Sequence, residues 1–272
     1  MPRFDLYQPT IMPSPYTYYQ EYQPSQMLRP YICCYWSATP FKKQIAEYTY
    51  EIIPDGCSDI VIEYDLINQT NSISYYGLFE NYFKITEQFT PTKQTFGIRF
   101  YPGSSAYFVR ERAKNITGKM VNLEQLHSSI INPLFDHLQH TQDISCLITA
   151  SNTIFSRALM NSKSLYQDSL LNNLLHQIFA SGGTATVGEL STQQVVGKRK
   201  MSRLFEERIG LSPKKFSQVI RFQSVLTDML HQSPTTGTLE YYDQSHLIKD
   251  FKKRIEKNPS SIKMSDFYNT SF

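Results

Sequence analysis

Two stretches of the chain concentrate side chains that could hold a polyanion. "GKRKMSRLFEERIG" places Lys198, Arg199, Ser202, Arg203 and Glu206 on one face of a helix and Met201, Leu204 and Phe205 on the other. Guanidinium and ammonium groups at that density suit phosphate oxygens and guanine edges, and a hydroxyl suits either. "YYDQSHLIKDFKK" repeats the arrangement. Asp243 is a good N-cap, Leu247, Phe251 and Ile255 face inward, and Gln244, Ser245, Ile248, Lys249 and Lys252 face outward. Gln244 is placed to read an adenine or a phosphate, and Lys249 to neutralise a phosphate. His246 beside Asp243 reads as a local hydrogen-bonding pair.

A third stretch, "IPDGCSD", gathers Asp55, Cys57 and Asp59 around an Asp-Gly turn, and these are the candidate contacts for a small ligand. The surrounding Tyr-rich and Phe-rich strands with few convergent charges favour an uncharged or aromatic molecule. The four cysteines, Cys33, Cys34, Cys57 and Cys146, have neither the spacing of a zinc site nor the density of a disulfide scaffold, so they read as reduced thiols. No glycine-rich phosphate loop, nucleophile elbow or cluster of His and carboxylates occurs. His137 and His140 could share a helix face, but a metal site there is not expected. The expectation is a non-enzyme without a cofactor or a metal.

The elements that must carry these residues change character along the 272 residues. Residues 1–26 are rich in Tyr, Pro and Gln and read as a flexible, extended lead-in. From residue 27 the texture is short β-branched and aromatic runs: "YICCYW", "EYTYEII", "SDIVIEY", "SISYYGLF", "TFGIRFY" and "SAYFVR". Their spacing predicts a β-barrel or sandwich. After about residue 123 the period moves to 3.6, with Ile130, Leu134, Phe135 and Leu138 on one stripe and Leu147, Ile148, Ile154, Phe155, Ala158 and Leu159 on the next. "SLYQDSLLNNLLHQIF" forms a further helix ending at "SGG". The predicted boundary lies near residues 162–164, giving an α+β protein of two domains: a β-rich domain with trailing helices over 27–163 and an all-α domain over 164–272.

In the second domain, residues 187–210 read as two short helices around a tight turn, a helix-turn-helix. "SPKKFSQVIRFQSVLTDML" follows with Ser212 as N-cap and Pro213 at the first helical position. Its apolar stripe runs through Phe216, Val219, Ile220, Val225, Leu226 and Met229, and its length of roughly 27 Å makes it a spacer between two DNA readers. Charge divides accordingly. From Ser164 onward there are 14 Lys and Arg against 10 Asp and Glu, and before it 13 against 14.

With the long helix and "YYDQSHLIKDFKKRIEKNPSS" beyond it, this region resembles the DNA-binding domain of the AraC/XylS transcription regulators, over about residues 164–263. The N-terminal segments resemble a sensor domain found fused to such regulators. The resemblance implies a sequence-specific regulator with two helix-turn-helix units, by family habit an activator. It implies double-stranded promoter DNA and RNA polymerase as partners, and a small-molecule or protein effector; it permits a homodimer.

The chain departs from the family pattern at three places. Val195 fills the turn position usually held by Gly, with Gly197 as the cap; Ser191 replaces a small Ala; and only "HQSPTTGTLE" separates Leu230 from Tyr241, which shortens the support of the second unit. That motivates an alternative, a ligand-binding or partner-binding protein with a degenerate second unit. A DNA-alkylation repair protein with Cys57 as acceptor is a further alternative, and the clustered cysteines of such sites do not occur. No apolar run reaches the roughly 20 residues of a membrane span and no signal peptide is visible, so no membrane association and a cytoplasmic location are expected.

Overall fold

The computed structural model describes residues 7–41, 46–65, 67, 70–126, 130–138, 143–161, 169–231, 244–257 and 261–268. Its N-terminal part is an antiparallel sheet of six strands in the order β1-β2-β7-β4-β5-β8: β1 Thr17–Tyr22, β2 Ile32–Pro40, β4 Ser58–Asp65, β5 Thr70–Tyr76, β7 Lys93–Phe100 and β8 Met120–Asn122. A second sheet of two strands, β3 Glu47–Ile52 and β6 Phe83–Gln88, pairs separately.

Side chains alternate across a strand, so each central strand splits its sequence between two faces. On one face Ile60 and Ile62 of β4 stand opposite Ile98 and Phe96 of β7, and Tyr35 and Ile73 join them. This apolar face packs against α2 Ile131–Leu138 and α3 Ile144–Met160 through Leu134, Leu147, Ile154 and Phe155. Asp143 caps α3 by accepting from the Cys146 amide. The other face carries Asp59, Val61 and Glu63 on β4 against Arg99, Gly97 and Thr95 on β7.

Several sequence expectations change here. "SAYFVR" is not a strand: Gly103, with φ of 76°, turns the chain into a 3-10 turn at Ser104–Tyr107, and Phe108 and Val109 drop into the core. Of the expected flexible lead-in, the described residues 7–26 are built into the fold. Thr17–Tyr22 pairs with β2 as the edge strand, while Tyr7, Thr10 and Ile11 are buried. Their partners lie more than 200 residues away for Thr10, so no local periodicity could reveal them.

The C-terminal part is helical: α4 Ser169–Ala180, α5 Val187–Gln193, α6 Lys198–Arg208, α7 Pro213–His231 and α8 Gln244–Ile255, after a short α1 at Ala113–Ile116 in the first part. Leu171, Leu174, Leu175 and Ile178 of α4 pack with Met201 and Phe205 of α6 and Phe216, Val219 and Ile220 of α7. Phe222, Val225 and Leu226 of α7 pack with Phe251 and Ile255 of α8. The expected boundary at 162–164 and the shortened connection over 232–243 lie outside the described residues, as do the side chains of Phe135, Leu138 and Leu247.

The two parts share their cores. Tyr7 stacks on Phe179 at 4.6 Å and 7°, and Ile53 and Met12 pack into the α7–α8 cluster. A Cβ at Gly210, just past α6, would come within 1.7 Å of Thr117, so only glycine permits this approach of α6 to the first domain. No helix among the described residues is long and apolar enough to cross a membrane.

Candidate functional sites: a basic helix and an aromatic cavity

The basic helix is positioned by the element before it. Thr186 and Glu189 form a reciprocal capping box at the start of α5, with Thr186 N–H donating to Glu189 Oε2 at 2.7 Å and Glu189 N–H to Thr186 Oγ1 at 3.2 Å. Val195, at φ of 47°, reverses the chain. The Ser191 hydroxyl then closes the turn by donating to the Val196 carbonyl at 2.6 Å, which a small apolar residue there could not do.

α6 follows with Met201 and Phe205 buried and Lys198, Arg199, Lys200 and Arg203 exposed, Ser202 half-buried among them. Its first turn holds no acid, and Gly197 supplies no side-chain cap. Three cations at the positive end of a helix oppose its dipole, and its first amides have no side-chain acceptor. Both features favour an anion at that end.

On α8, Lys249 is exposed; Gln244 and Ser245 fall in its first turn, and their side chains lie outside the described residues. The other end of α8 is engaged by the first domain. Glu80, in the loop between β5 and β6, accepts from Lys215 Nζ of α7 at 2.8 Å and from Lys253 Nζ of α8 at 3.3 Å. Its backbone carbonyl accepts from Arg254 Nη1 at 2.7 Å, and Arg254 is fully buried with Asp250 beside it. Burial pushes the Glu80 carboxyl up, but Lys215 and Lys253 outweigh it and hold the group below its ordinary range.

The second site is the polar face of the sheet. β3, β6 and lead-in residues 11–14 cover it, leaving a cavity of about 150 Å³. Asp55, Cys57 and Asp59 line it as expected from the sequence, but their setting was not read there. Trp36, the only tryptophan of the chain, lies over Gly97, where a Cβ would come within 1.9 Å of the indole. Its Nε1–H donates to Asp59 Oδ1 at 2.7 Å.

Arg99, 7% exposed, faces three carboxylates: Nη1 lies 3.3 Å from Glu21, and Nε lies 3.4 Å from Asp59 and 3.5 Å from Asp55. Burial pushes the Asp59 carboxyl up to about 6, with Arg99 pulling the other way and Asp55 adding to the rise. Burial also raises Asp55. On the far wall Glu87 accepts from Tyr48 and Tyr50 and pairs with Lys93, which also pairs with Glu63 at 2.6 Å.

The Cys57 thiol is held well above its ordinary value by burial first and Asp55 second, which keeps it protonated and a poor nucleophile. Among the described residues no three metal-binding side chains cluster.

A wider cleft of about 630 Å³, bounded by Lys84, Lys257 and residues 265–268, shares Met12, Thr17, Tyr19 and Tyr50 with the cavity wall. Tyr268 bridges to Ile11 through backbone hydrogen bonds and sets its ring against Tyr19 at 5.1 Å. Behind the cavity, the turn bearing Asp55 rests on α7. Gln223 Nε2 donates to the Pro54 and Thr10 carbonyls at 2.9 and 3.0 Å, its Oε1 accepts from Thr10 N–H at 2.8 Å, and Gly56 abuts Ile220.

Arg99, Trp36, Tyr19, Glu21, Glu63 and Glu87 were not singled out from sequence. For Glu63 and Arg99 the signal is the alternation in "SDIVIEY" and "TFGIRFY", which sets acids and an arginine on one face. That pattern reads as a solvent face until β3 and β6 are known to cover it.

Comparison with known proteins places most of the cavity wall within a recognised segment. Residues 20–122 match a family model described as a domain of unknown function, DUF6597, and this span reaches from β1 to β8. No curated protein matches the chain. Among solved structures, an apo form of ToxT from Vibrio cholerae strain SCE256 aligns over 81% of this chain and 97% of its own, at 8% identity and a TM-score of 0.41. ToxT from Vibrio cholerae O395 aligns over 79% of this chain and 96% of its own, at 12% identity and a TM-score of 0.40. An unsaturated fatty acid bound form of ToxT from strain SCE256 gives 10% identity and 0.38, over 79% of this chain and 92% of its own.

Proposed function

We propose that the chain is a sequence-specific DNA-binding transcription regulator of the AraC type whose N-terminal domain takes an effector in the Trp36 cavity. The observation that carries this reading is α6: an exposed row of Lys198, Arg199 and Arg203 on a helix with no acid and no side-chain cap at its N-terminus, held against a preceding helix by a tight turn. A basic helix held in this way suits the major groove as a recognition helix does, which supports the reading. α7 sets α8 and its Lys249 a helix length away, about 28 Å for 19 residues at 1.5 Å each.

Effector occupancy reaches this machinery through the Asp55 turn. One side of the turn lines the cavity, and the other is hydrogen-bonded to Gln223 of α7. By the habit of the family it resembles, the protein acts as an activator and touches RNA polymerase at promoters.

A second reading has its own support. Glu80 engages Lys215 and Lys253 and its carbonyl engages Arg254, so the α8 end serves as a brace between domains, with DNA held by α6 alone.

Salt-dependent anisotropy on a duplex from upstream of the gene tests the proposal. Arg199→Ala/Arg203→Ala is expected to weaken binding and to lower the log–log salt slope by about 2, one counterion release per lost phosphate contact. An unchanged slope would remove α6 from the interface.

A further inference from the structure

We propose that residues 261–268 are a strap that closes the entrance of the Trp36 cavity and ties its opening to α8. This deepens the effector-site reading, on which it rests, by naming the way in and the element that moves.

The wall between two spaces is the first ground. Met12, Pro13, Ser14, Thr17, Tyr19 and Tyr50 line both the cavity of about 150 Å³ and the cleft of about 630 Å³ beside it. A molecule passing from the cleft to Trp36 therefore has to displace lead-in residues 12–17 or the Tyr19 ring. Tyr268 holds both from the outside. Its N–H donates to the Ile11 carbonyl at 2.9 Å, its carbonyl accepts from Ile11 N–H at 3.0 Å, and its ring stands edge-on to Tyr19 at 5.1 Å and 75°. Tyr19 in turn lies 5.9 Å from Trp36, so three rings run in series from the strap to the cavity.

The attachment of the strap is the second ground. It follows α8 in the chain, and Ile262 and Phe267 pack in the same cluster as Phe251 and Ile255 of α8. Ile53 and Met12 belong to that cluster and also line the cavity. Lifting the strap thus withdraws apolar side chains from α8, and displacing α8 pulls on the strap. The third ground is unequal anchoring. Ile262, Phe267 and Tyr268 are half-buried, and Ser261, Lys263, Ser265 and Asp266 are exposed, whereas Thr10 and Ile11 beneath them are buried. Segments with few buried contacts open at the low end of local stability, so the strap lifts before the sheet beneath it does.

The test is hydrogen exchange followed by NMR on the intact protein, without ligand or DNA. Trp36 is the only tryptophan, so its indole N–H gives a single signal, and that proton is donated to Asp59 in the cavity wall. Tyr268→Pro removes the N–H given to Ile11, Tyr268→Ala removes the ring, and Tyr268→Phe keeps both. Loss of one hydrogen bond or one aromatic pair shifts an opening equilibrium by about fivefold. Tyr268→Pro and Tyr268→Ala are each expected to speed exchange of the Trp36 indole by about that factor, and of the amides in the last turn of α8 with it. The amides of α3, on the other face of the sheet, are expected to keep their rates, and Tyr268→Phe to match wild type throughout.

Unchanged indole exchange in both variants overturns the gate, and faster indole exchange with α8 unchanged overturns the tie to α8. An equal rise at α3 marks a general loosening and overturns the proposal whole. None of these outcomes touches the effector-site reading. A DNA affinity that no cell-extract metabolite alters removes that reading and leaves the strap.

Discussion

Gln223 and Pro54 are joined across 169 residues by a 2.9 Å hydrogen bond from a side chain that is 1% exposed. The same amide also donates to and accepts from the backbone of Thr10. One residue in the middle of α7 therefore holds both the lead-in and the turn that lines the cavity.

Gln223→Leu leaves one N–H and two carbonyls of this seam without their partner. The loss is expected to reach about 3 kcal/mol, since each buried polar group left unsatisfied costs about 1–3. Urea denaturation should show it. At temperatures where the variant is folded, an effector should no longer change its DNA affinity.

Val195 is a β-branched residue at φ of 47° and 93% exposed. The left-handed conformation costs a non-glycine residue about 1–2 kcal/mol, and the exposed side chain returns little packing. Val195→Gly is expected to stabilise the protein by about 1 kcal/mol, read as a rise in melting temperature of about 2–4 °C.

Asp59 sets a pH dependence with an inverted sense. Its folded-state pKa, about 6, lies above the unfolded reference of 3.8. The native state thus keeps a proton that the unfolded chain releases, and stability falls as pH rises from about 4 to 6 and stays reduced above. The groups facing it are Trp36 from β2, Asp55 and Cys57 from the turn, Tyr75 and Tyr76 from β5 and Arg99 from β7. Asp59→Asn, which keeps an acceptor for Trp36, should be more stable than wild type at pH 7.5 by about 2 kcal/mol and show a flatter profile between pH 4 and 6. A variant less stable at pH 7.5 would contradict this account of the cluster.

Glu80→Ala frees the Lys215 and Lys253 ammonium groups, which are about half exposed, so its stability cost should stay under about 1 kcal/mol. Two cations near α8 then become available to phosphates. DNA affinity at low salt should rise and the salt slope steepen; no change in either would mark Glu80 as a brace only.

The legible parts of this molecule are those fixed by near neighbours. Ser212 and Pro213 announce α7, the alternation in "SDIVIEY" announces β4, and the cations of α6 follow from a 3.6 period. The cavity is different. Asp55, Cys57 and Asp59 could be flagged as polar residues near a turn, but Arg99 comes from a strand 40 residues beyond Asp59 and Glu21 from a segment that looks unstructured by itself. A face becomes interior only when another sheet covers it, and pairings such as Tyr48 with Glu87 are set by tertiary contact. For that reason an uncharged or aromatic ligand followed from the strand composition, which shows none of the charged side chains that the assembled wall carries.

The most direct measurement is selection from a random duplex pool with the intact protein, followed by competition of the recovered sequence against non-specific DNA at physiological salt. A recurring motif bound at least about 10³-fold more tightly than the competitor, and lost with Arg199→Ala/Arg203→Ala, is the result the account predicts. Extending the motif by a second half-site about 10 base pairs away would place α8 in the adjacent groove, and Gln244→Ala/Lys249→Ala should then erase that half alone. A pool that never enriches, with equal affinity for every duplex, would contradict the central claim.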